Sequence, residues 1–369
     1  MRILLVHSDD IRRFPPVRNL LQCLLSNGHA VSVITKDEHR ILSDWNHEML
    51  HVELLDSYTN LNKLSMMKIY TKNRLFLRKR VPELMKTHDI IWTTTDVAVR
   101  EIGEQLLNYK HVMQLMELIQ EMPVNPYFKF IKFNIQKYAR HAYKVVLPEI
   151  NRAHITKTWW KLHDTPTVLP NKPYSLEIPS VPEEVYPIIE EMKSERRRIL
   201  LYQGVFYKDR NLEPIASAVS SLNSDYCLYI MGRDTDIRKK LCEDYPDVKY
   251  IPFLDPPTHL LITQQADVGL LPYIPSKSHH FSELNALYCA PNKIFEYAAF
   301  GLPMLGSDVP GLFIPFEKYN CGVCYKTGSM EEIRELLIYI RDNYERMSEA
   351  AISYYNSVDL DEIVNSILA

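Results

Sequence analysis

The chain has 369 residues, which is longer than most single domains, so we expect two domains of ordinary size. Hydrophobic residues make up 46% and charged residues 24% of it, which excludes a disordered chain. The formal net charge is −3, so no overall positive field favours nucleic acid as a partner.

The sequence predicts neither a targeting segment nor a membrane span. The first apolar run, RILLVH (2–7), is short and is followed by acids, which predicts a β-strand rather than a signal peptide. No stretch approaches the roughly 20 apolar residues that a span requires. Cys321 and Cys324 form a CxxC without the second pair of a zinc site, which favours free thiols. We therefore expect a cytoplasmic protein, with any contact at the inner face of the plasma membrane being peripheral.

Short apolar runs then alternate with helical patterns along the first half. A helix is predicted at 15–28, ending at Gly28, and the predicted strands alternate with helical segments of this kind. The predicted strands are 2–7, 29–35, 88–94, 110–116 and 143–148. This alternation is typical of a parallel sheet covered on both faces.

A basic amphipathic segment, residues 63–86, interrupts this series. It carries eight cations against one acid, Glu83, and its apolar residues recur at helical spacing. The cations are Lys63, Lys68, Lys72, Arg74, Arg78, Lys79, Arg80 and Lys86. Two interpretations stay open: a solvated helix face, or a surface for an anionic membrane or a lipid diphosphate.

The pattern restarts after a Pro-rich stretch, 165–187, whose lack of helical period is typical of a linker. Further strands are predicted at 198–204, 226–232, 248–253, 266–272 and 302–307. Two such halves predict an α/β protein with two Rossmann-like domains facing a cleft. Ligands of these sheets bind beyond the carboxyl ends of the strands.

A helix predicted within PNKIFEYAAF (291–300) carries candidate binding residues. Pro291 precedes it, and the free N–H groups of its first turn form an anion site. Lys293 lies in that turn, where a cation is unfavourable unless an anion binds nearby. Glu296 follows among apolar residues, where a carboxylate needs partners such as a ribose diol. The alternative is a Lys–Glu pair on a solvated helix face.

A second candidate is the turn after the strand at 198–204. Gly204 ends that strand, and Lys208 and Arg210 precede the next helix, an arrangement that suits a diphosphate. A solvated turn is the alternative. Asp234 and Asp236 resemble a metal-binding pair, but they open a helix, where acids cap the N-terminus. His279 and His280 are adjacent and so point apart on a regular element, which argues against a ligand pair and favours a flexible loop that covers the bound ligand.

These segments carry a family resemblance. In order, LYQGVFYKDRNLEPI, YIMGRDTDIRKKL, VKYIPFL, ADVGLLPY and PNKIFEYAAFGLPMLGSDVPGL resemble the C-terminal domain of retaining glycosyltransferases of the GT-B fold, family GT4. The first half matches more loosely, through GHAVSVIT, VMQLMEL and TVLPNKP. The resemblance implies an acceptor-binding domain at 1–175 and a nucleotide-sugar-binding domain at 176–351. A C-terminal helix at about 352–369 would pack back on the first.

The resemblance also implies roles for single residues. Glu296 matches the second Glu of the family's motif and would bind the ribose. Arg210 matches a phosphate-binding Lys, and Gly204 lets the chain approach the phosphates. Asn292 and Lys293 would lie near the diphosphate and sugar.

In the first half, Glu117 matches a Glu at a strand end and would face the acceptor; a structural role is the alternative. Two positions depart from the family. Tyr288 stands where the first Glu of the motif contacts the donor sugar, and Val205 stands where the family has an Arg, for which Lys208 could compensate.

The implied function is retaining transfer of a sugar from a UDP-, GDP- or dTDP-sugar to a lipid-linked or other saccharide acceptor in bacterial surface-polysaccharide assembly. No metal or other cofactor is expected. Arg210 and Lys293 would stabilise the leaving diphosphate, which takes the acceptor proton in a same-face attack. The alternatives are a GT-B sugar-nucleotide epimerase, for which we find no acid/base set, and a non-catalytic GT-B partner, which Tyr288 and Val205 permit.

Overall fold

A computed structural model describes residues 1–37, 42, 45, 47–57, 62–176, 178–276 and 282–369, without the side chains of residues 128 and 129. His279 and His280 lie outside the described residues. The chain divides into two compact units, one formed by Met1–Tyr174 with Asp359–Ala369 and the other by Ser175–Val358. The chain thus returns to the first unit for its last residues.

The first unit is built on a parallel sheet of seven strands. The strands of this unit are β1 (Arg2–Asp10), β2 (Ala30–Lys36), β3 (Leu50–Leu54), β4 (Ile90–Thr93), β5 (His111–Gln114), β6 (Met122–Asn125), β7 (Phe128–Phe133), β8 (Lys144–Leu147) and β9 (Thr167–Val168). The sheet order is β3-β2-β1-β4-β5-β8-β9, while β6 and β7 form a separate antiparallel hairpin. The helices of this part of the chain are α1 (Pro15–Ser26), α2 (Lys63–Leu84), α3 (Asp96–Ile102), α4 (Ile135–His141) and α5 (Ile150–Trp160).

The second unit repeats the arrangement with six parallel strands. They are β10 (Arg198–Gln203), β11 (Tyr226–Gly232), β12 (Lys249–Pro252), β13 (Val268–Leu271), β14 (Met304–Ser307) and β15 (Gly322–Tyr325), in the order β12-β11-β10-β13-β14-β15. The helices are α6 (Tyr186–Ser194), α7 (Glu213–Ser221), α8 (Asp236–Asp244), α9 (Leu260–Thr263), α10 (Glu283–Leu287), α11 (Asn292–Ala299), α12 (Pro310–Tyr319), α13 (Met330–Asp342) and α14 (Tyr344–Asn356).

Helices cover both faces of the second sheet. Successive side chains of a strand point to opposite faces, and Leu200 and Leu201 of β10 accordingly enter two separate apolar clusters. Leu201 packs in one cluster with Tyr297 of α11, and Leu200 packs in the other with Leu337 of α13. All seven residues of β11 are buried, as expected for a parallel strand covered on both sides. The predicted fold class, two Rossmann-like α/β domains, is confirmed.

The end of the chain differs from the single helix predicted at about 352–369. Helix α14 ends at Asn356 within the second unit, where Tyr354 stacks on Phe295 with ring centroids 5.1 Å apart. A further helix, α15 (Leu360–Leu368), belongs to the first unit. There Asp361 accepts hydrogen bonds from Asn27 and Cys23, which anchor α15 to α1. Residues 352–358 therefore lie in the second unit.

Among the residues that the structure describes, no helix combines the length and the apolar character that a bilayer crossing needs. The described residues of the Pro-rich stretch at 165–187 include β9 near its start and the first two residues of α6 at its end, and are otherwise irregular.

Candidate functional site

The candidate site lies where the strand order of the second sheet reverses, between β10 and β13. Such a switch point leaves a crevice at the carboxyl ends of the strands, which is where open α/β sheets bind ligands. The ladder between the two strands pairs only Leu200 with Val268 and Leu201 with Gly269. Beyond these pairs β10 continues to Gln203, and Gly204 follows it.

Tyr297 of α11 fixes that helix over the end of β10. Its hydroxyl donates to the Leu201 carbonyl at 3.1 Å and accepts from the Gln203 amide at 3.3 Å. A Cβ on Gly269 would lie 2.3 Å from the Tyr297 ring, so only glycine admits the ring at this place on β13. The contact positions every residue of α11 relative to the strand end.

Glu296, the neighbour of Tyr297, is 6% exposed and holds its carboxylate in a network of side chains from three elements. Gln203 Nε2 donates to Glu296 Oε2 at 2.6 Å, and His259 Nε2 lies 3.3 Å from Glu296 Oε1. The Thr263 hydroxyl donates to Gln203 Oε1 at 2.7 Å. We call Glu296, Gln203, His259 and Thr263 the buried quartet.

The surroundings of Glu296 keep its carboxyl group ionised. Burial raises the pKa of Glu296, but His259, Lys293 and the Gln203 amide act in the opposite direction and leave the pKa below its ordinary value. The predicted solvated Lys–Glu face is wrong, since the carboxylate is buried and bound by side chains of other elements.

Lys293 lies one turn before Glu296 and is half-buried against Gly204. A Cβ on Gly204 would lie only 3.0 Å from Lys293 Nζ, so the absence of a side chain there makes room for the ammonium group. Burial lowers the pKa of Lys293 to about 8, Glu296 opposes that shift, and the nearby Arg210 adds to it. The ammonium group is therefore charged at neutral pH but loses its proton readily.

Arg210 is the second cation of this cluster. Its Nη1 lies 2.8 Å from Asp209 Oδ2, and its Cζ lies 3.9 Å from the centroid of the Tyr273 ring. Tyr273 is itself fixed beyond β13, because its amide and its carbonyl both bond to the Ser307 hydroxyl. Gly204, Arg210, Lys293 and Glu296, predicted from two separate stretches, thus lie at one strand end.

The other predicted residues of the second unit stand around this cluster. Asn292 is the first residue of α11, and Pro291, predicted to precede the helix, is its N-cap. Tyr288 follows α10, four residues before α11. Lys208 is exposed in the turn after β10, and the Val205 side chain is also exposed while its carbonyl accepts a hydrogen bond from the Tyr202 hydroxyl.

Glu117 belongs to the first unit, in the segment after β5. Its Oε2 lies 3.4 Å from Arg152 Nη1, and the same Arg152 nitrogen donates to the Met116 carbonyl at 3.0 Å. The Glu117 side chain is 44% exposed. This ion pair supports a structural role, and the exposed part of the carboxylate is accessible to a ligand.

Asp234 and Asp236 are arranged around a helix start. Thr235 is the N-cap of α8, and its hydroxyl accepts from the Arg238 amide, so the cap is the threonine rather than either acid. Asp236 lies in the first turn, and Asp234 pairs with the Arg238 side chain. No group of three or more potential metal ligands occurs among the described residues.

Three residues of the buried quartet were not predicted as site residues. Gln203 could have been found, because it is a polar residue that ends an otherwise apolar strand, directly before Gly204. His259 and Thr263 lie in the segment PPTHLLIT, which has neither a motif nor a diagnostic spacing.

No family model matches the sequence, and a comparison with curated proteins gives no match either. Solved structures do resemble the chain in fold. HepE of Anabaena, crystallised with UDP and glucose, is 13% identical with a TM-score of 0.67, over 100% of this chain and 98% of its own. WaaG, a glycosyltransferase of lipopolysaccharide biosynthesis, is 16% identical with a TM-score of 0.61, over 99% and 98%. A Listeria monocytogenes protein assigned as a UDP-N-acetylglucosamine 2-epimerase is 13% identical with a TM-score of 0.65, over 100% and 94%. At these identities the likeness establishes the shared fold.

We predict that Gly204→Ala disturbs both stability and the cation at Lys293. Gly204 has φ +145°, which L-residues rarely adopt, and the added Cβ would meet Lys293 Nζ. We expect the free energy of unfolding to fall by about 1–3 kcal/mol, and the rise in Tm that pyrophosphate produces to shrink. Thermal unfolding with and without pyrophosphate measures both effects.

Gly28→Ala is the matched control, because Gly28 also has a positive φ, +73°, but a Cβ there meets no atom within 4 Å. It should lower the Tm and leave the pyrophosphate effect intact. An unchanged pyrophosphate effect in Gly204→Ala would contradict the role of Gly204.

Proposed function

We propose that the chain is a retaining glycosyltransferase of the GT4 type that takes its sugar from a nucleotide-diphosphate sugar. The observation that carries the proposal is the cluster at the end of β10. Lys293 lies against Gly204, Arg210 is near enough to act on its charge, and the buried carboxylate of Glu296 lies one helical turn from Lys293. A ligand with a diphosphate next to a ribose carries the groups that complement this cluster.

The two cations suit the diphosphate. Lys293 and Arg210 repel each other, as the lowered pKa of Lys293 reflects, and an anion between them would relieve that repulsion. The free N–H groups at the start of α11, beginning with Asn292, add donors on the same side. Negative charge grows on the diphosphate as the glycosidic bond breaks, so these groups stabilise the transition state more than the bound donor.

The ribose is assigned to Glu296 and the donor sugar to the neighbourhood of Asn292 and Tyr288. Tyr288 replaces a carboxylate of the family pattern, so donor-sugar recognition in this chain rests on other contacts. Lys208 is exposed in the turn after β10, outside any helix or strand. It would place a further positive charge near the diphosphate. The leaving phosphate takes the acceptor proton in this proposal, and the reaction requires neither a nucleophile from the chain nor a metal.

The acceptor is assigned to the first unit, with Glu117 facing it. We propose a lipid-linked saccharide and a place in bacterial surface-polysaccharide assembly at the cytoplasmic face of the membrane. The surface of the first unit supports a peripheral contact with anionic lipid. Along α2, Leu64 and Leu75 are 73% and 63% exposed beside exposed Lys68 and Lys79. Basic helices with apolar side chains on the same exposed face bind membrane interfaces.

A second element in contact with α2, the hairpin of β6 and β7, also exposes apolar side chains. Its Phe130 and Ile131 are 99% and 66% exposed, and its Tyr127 ring lies 6.0 Å from the Tyr70 ring of α2. Exposed side chains of this size next to a cationic helix suit insertion between lipid headgroups. Not every cation of 63–86 is available for this contact, since Arg80 is held by Glu53 and Glu83.

The assignment as a transferase predicts turnover of a nucleotide sugar. A thermal-shift panel of UDP-, GDP- and dTDP-sugars should identify one donor that raises the Tm, and purified protein should cleave that donor slowly in water and faster with a saccharide acceptor. Product analysis by NMR should give retention at the anomeric carbon. If the protein epimerises the donor and transfers no sugar, the chain is a sugar-nucleotide epimerase instead. If it binds the donor without any turnover, the chain is a non-catalytic partner.

The lowered pKa of Lys293 predicts how nucleotide affinity depends on pH. The amine has a pKa of about 8 in the free protein, and a bound diphosphate would raise it, so binding above about pH 8 takes up a proton. The affinity for UDP should therefore fall as the pH rises from 7 to 9, while the phosphates stay fully ionised. Calorimetry in two buffers of different ionisation enthalpy measures both the affinity and the proton uptake.

Lys293→Arg is the control for this titration, because it keeps the charge and removes the ionisation. It should bind UDP with little pH dependence over this range, and Lys293→Met should bind weakly at every pH. A wild-type affinity that stays constant from pH 7 to 9 would argue against contact between Lys293 and the diphosphate.

The membrane proposal predicts that two kinds of substitution weaken binding to vesicles. The double substitution Lys68→Gln and Lys79→Gln removes two positive charges from α2. The double substitution Phe130→Ser and Ile131→Ser removes the two apolar side chains that would insert between lipid headgroups. Each pair should reduce sedimentation with vesicles that contain phosphatidylglycerol, at low salt, several-fold. Lys240→Gln with Lys249→Gln, on the second unit, changes the net charge equally and should have no effect. Unchanged sedimentation of both first-unit variants would reject the surface.

A further inference from the structure

The partners of Glu296 account for half of its hydrogen-bonding capacity. An ionised carboxylate is an acceptor only, with about four acceptor positions. Gln203 occupies one on Oε2 and His259 one on Oε1. One position on each oxygen remains for a ligand, and the 2′- and 3′-hydroxyls of a ribose provide two donors on adjacent carbons.

The orientation of the Gln203 amide follows from its neighbours. Its nitrogen must face Glu296, because an ionised carboxylate would repel the amide oxygen. That places Gln203 Oε1 toward Thr263, whose hydroxyl donates to it at 2.7 Å. Gln203 and Thr263 are 4% and 0% exposed, so neither side chain has room to turn away.

His259 contacts Oε1, the other carboxylate oxygen of Glu296. Its Nε2 lies 3.3 Å from Glu296 Oε1, while its Nδ1 is buried and has no hydrogen-bond partner among the described residues. An N–H on Nε2, which the neutral and the protonated ring can both carry, donates to the carboxylate. Lys293, on the same helix as Glu296, is a further cation that acts on this carboxylate.

We propose that Gln203 and His259 are positioning residues that aim the two remaining acceptor positions of Glu296 at a cis-diol, so that the chain selects ribonucleoside over deoxyribonucleoside diphosphates. This inference rests on the proposed function and narrows the donor to a UDP- or GDP-sugar. A dTDP-sugar lacks the 2′-hydroxyl and would leave one buried acceptor of Glu296 without a donor, which is costly.

The test compares UDP with 2′-deoxy-UDP by calorimetry. Wild-type protein should bind UDP about 10- to 100-fold more tightly. Gln203→Leu and His259→Phe should bring the ratio of the two affinities toward one, and they should bind pyrophosphate as wild type does. His259→Gln, which keeps an N–H donor, should restore much of the preference. Gln264→Leu makes a similar change at an exposed position beside α9 and should leave the ratio unaltered.

The outcomes separate this inference from the function on which it rests. If wild-type protein binds neither nucleotide, the proposed nucleotide-sugar site itself fails. If it binds UDP and 2′-deoxy-UDP equally well, the site stands and the inference falls, even where a variant does not fold. If Gln203→Leu and His259→Phe weaken UDP, 2′-deoxy-UDP and pyrophosphate by the same factor, the two residues serve only the structure, and the inference is again overturned.

Discussion

A buried carboxylate cannot remain ionised unless the protein surrounds it with donors and cations, and Glu296 imposes that requirement on the second unit. Its partners come from β10, from the residue before α9 and from its own helix, so meeting the requirement ties three elements to one point. The neighbouring Tyr297 adds two hydrogen bonds to the backbone of β10, one at Leu201, the last residue paired with β13, and one at Gln203 beyond it. The site is therefore built on the sheet, and its geometry is as well defined as the strand end itself.

The charges of the cluster nearly cancel before any ligand binds. Arg210 is paired with Asp209, and Lys293 is attracted to Glu296. An isolated anion has to compete with these carboxylates, so we expect it to bind more weakly than a ligand that also satisfies Glu296. A nucleotide would bring a diphosphate to the cations Lys293 and Arg210 and hydroxyl donors to the carboxylate of Glu296. Such a ligand complements both the positive and the negative groups of the cluster. The pairing of acids with bases thus favours a composite ligand over free phosphate, since neither half of the site is complete without the other.

The sequence predicted what depends on local pattern and missed what depends on contacts between distant residues. Alternating apolar runs located ten of the fifteen described strands. The five that were missed lie at sheet edges (β3, β9 and β15) or in the separate hairpin (β6 and β7). Gly204 and the helix of Glu296 were found because a strand end and a helix start have recognisable local sequences. The contact between Gln203 and Glu296 joins residues 93 positions apart, and nothing near His259 indicates that it faces a carboxylate. Such contacts follow from the sheet order, which periodicity does not specify.

The two sheets share one strand order and differ in chemistry at the same topological point. In the second unit β10 ends at Gln203 and is followed by Gly204, whose φ of +145° and missing side chain leave space that Lys293 enters. In the first unit the corresponding strand is β1, and His7 near its end is buried, bonds to Thr94 at 2.8 Å and packs its ring against Phe14 with centroids 4.6 Å apart. Burial lowers the pKa of His7 to about 4, so this imidazole is neutral at physiological pH. A phosphate needs a small residue and cations at the strand end, and the end of β10 combines Gly204 with Lys293 and Arg210. The contrast with the buried, neutral imidazole in β1 supports the proposed assignment of the nucleotide to the second unit on local chemistry.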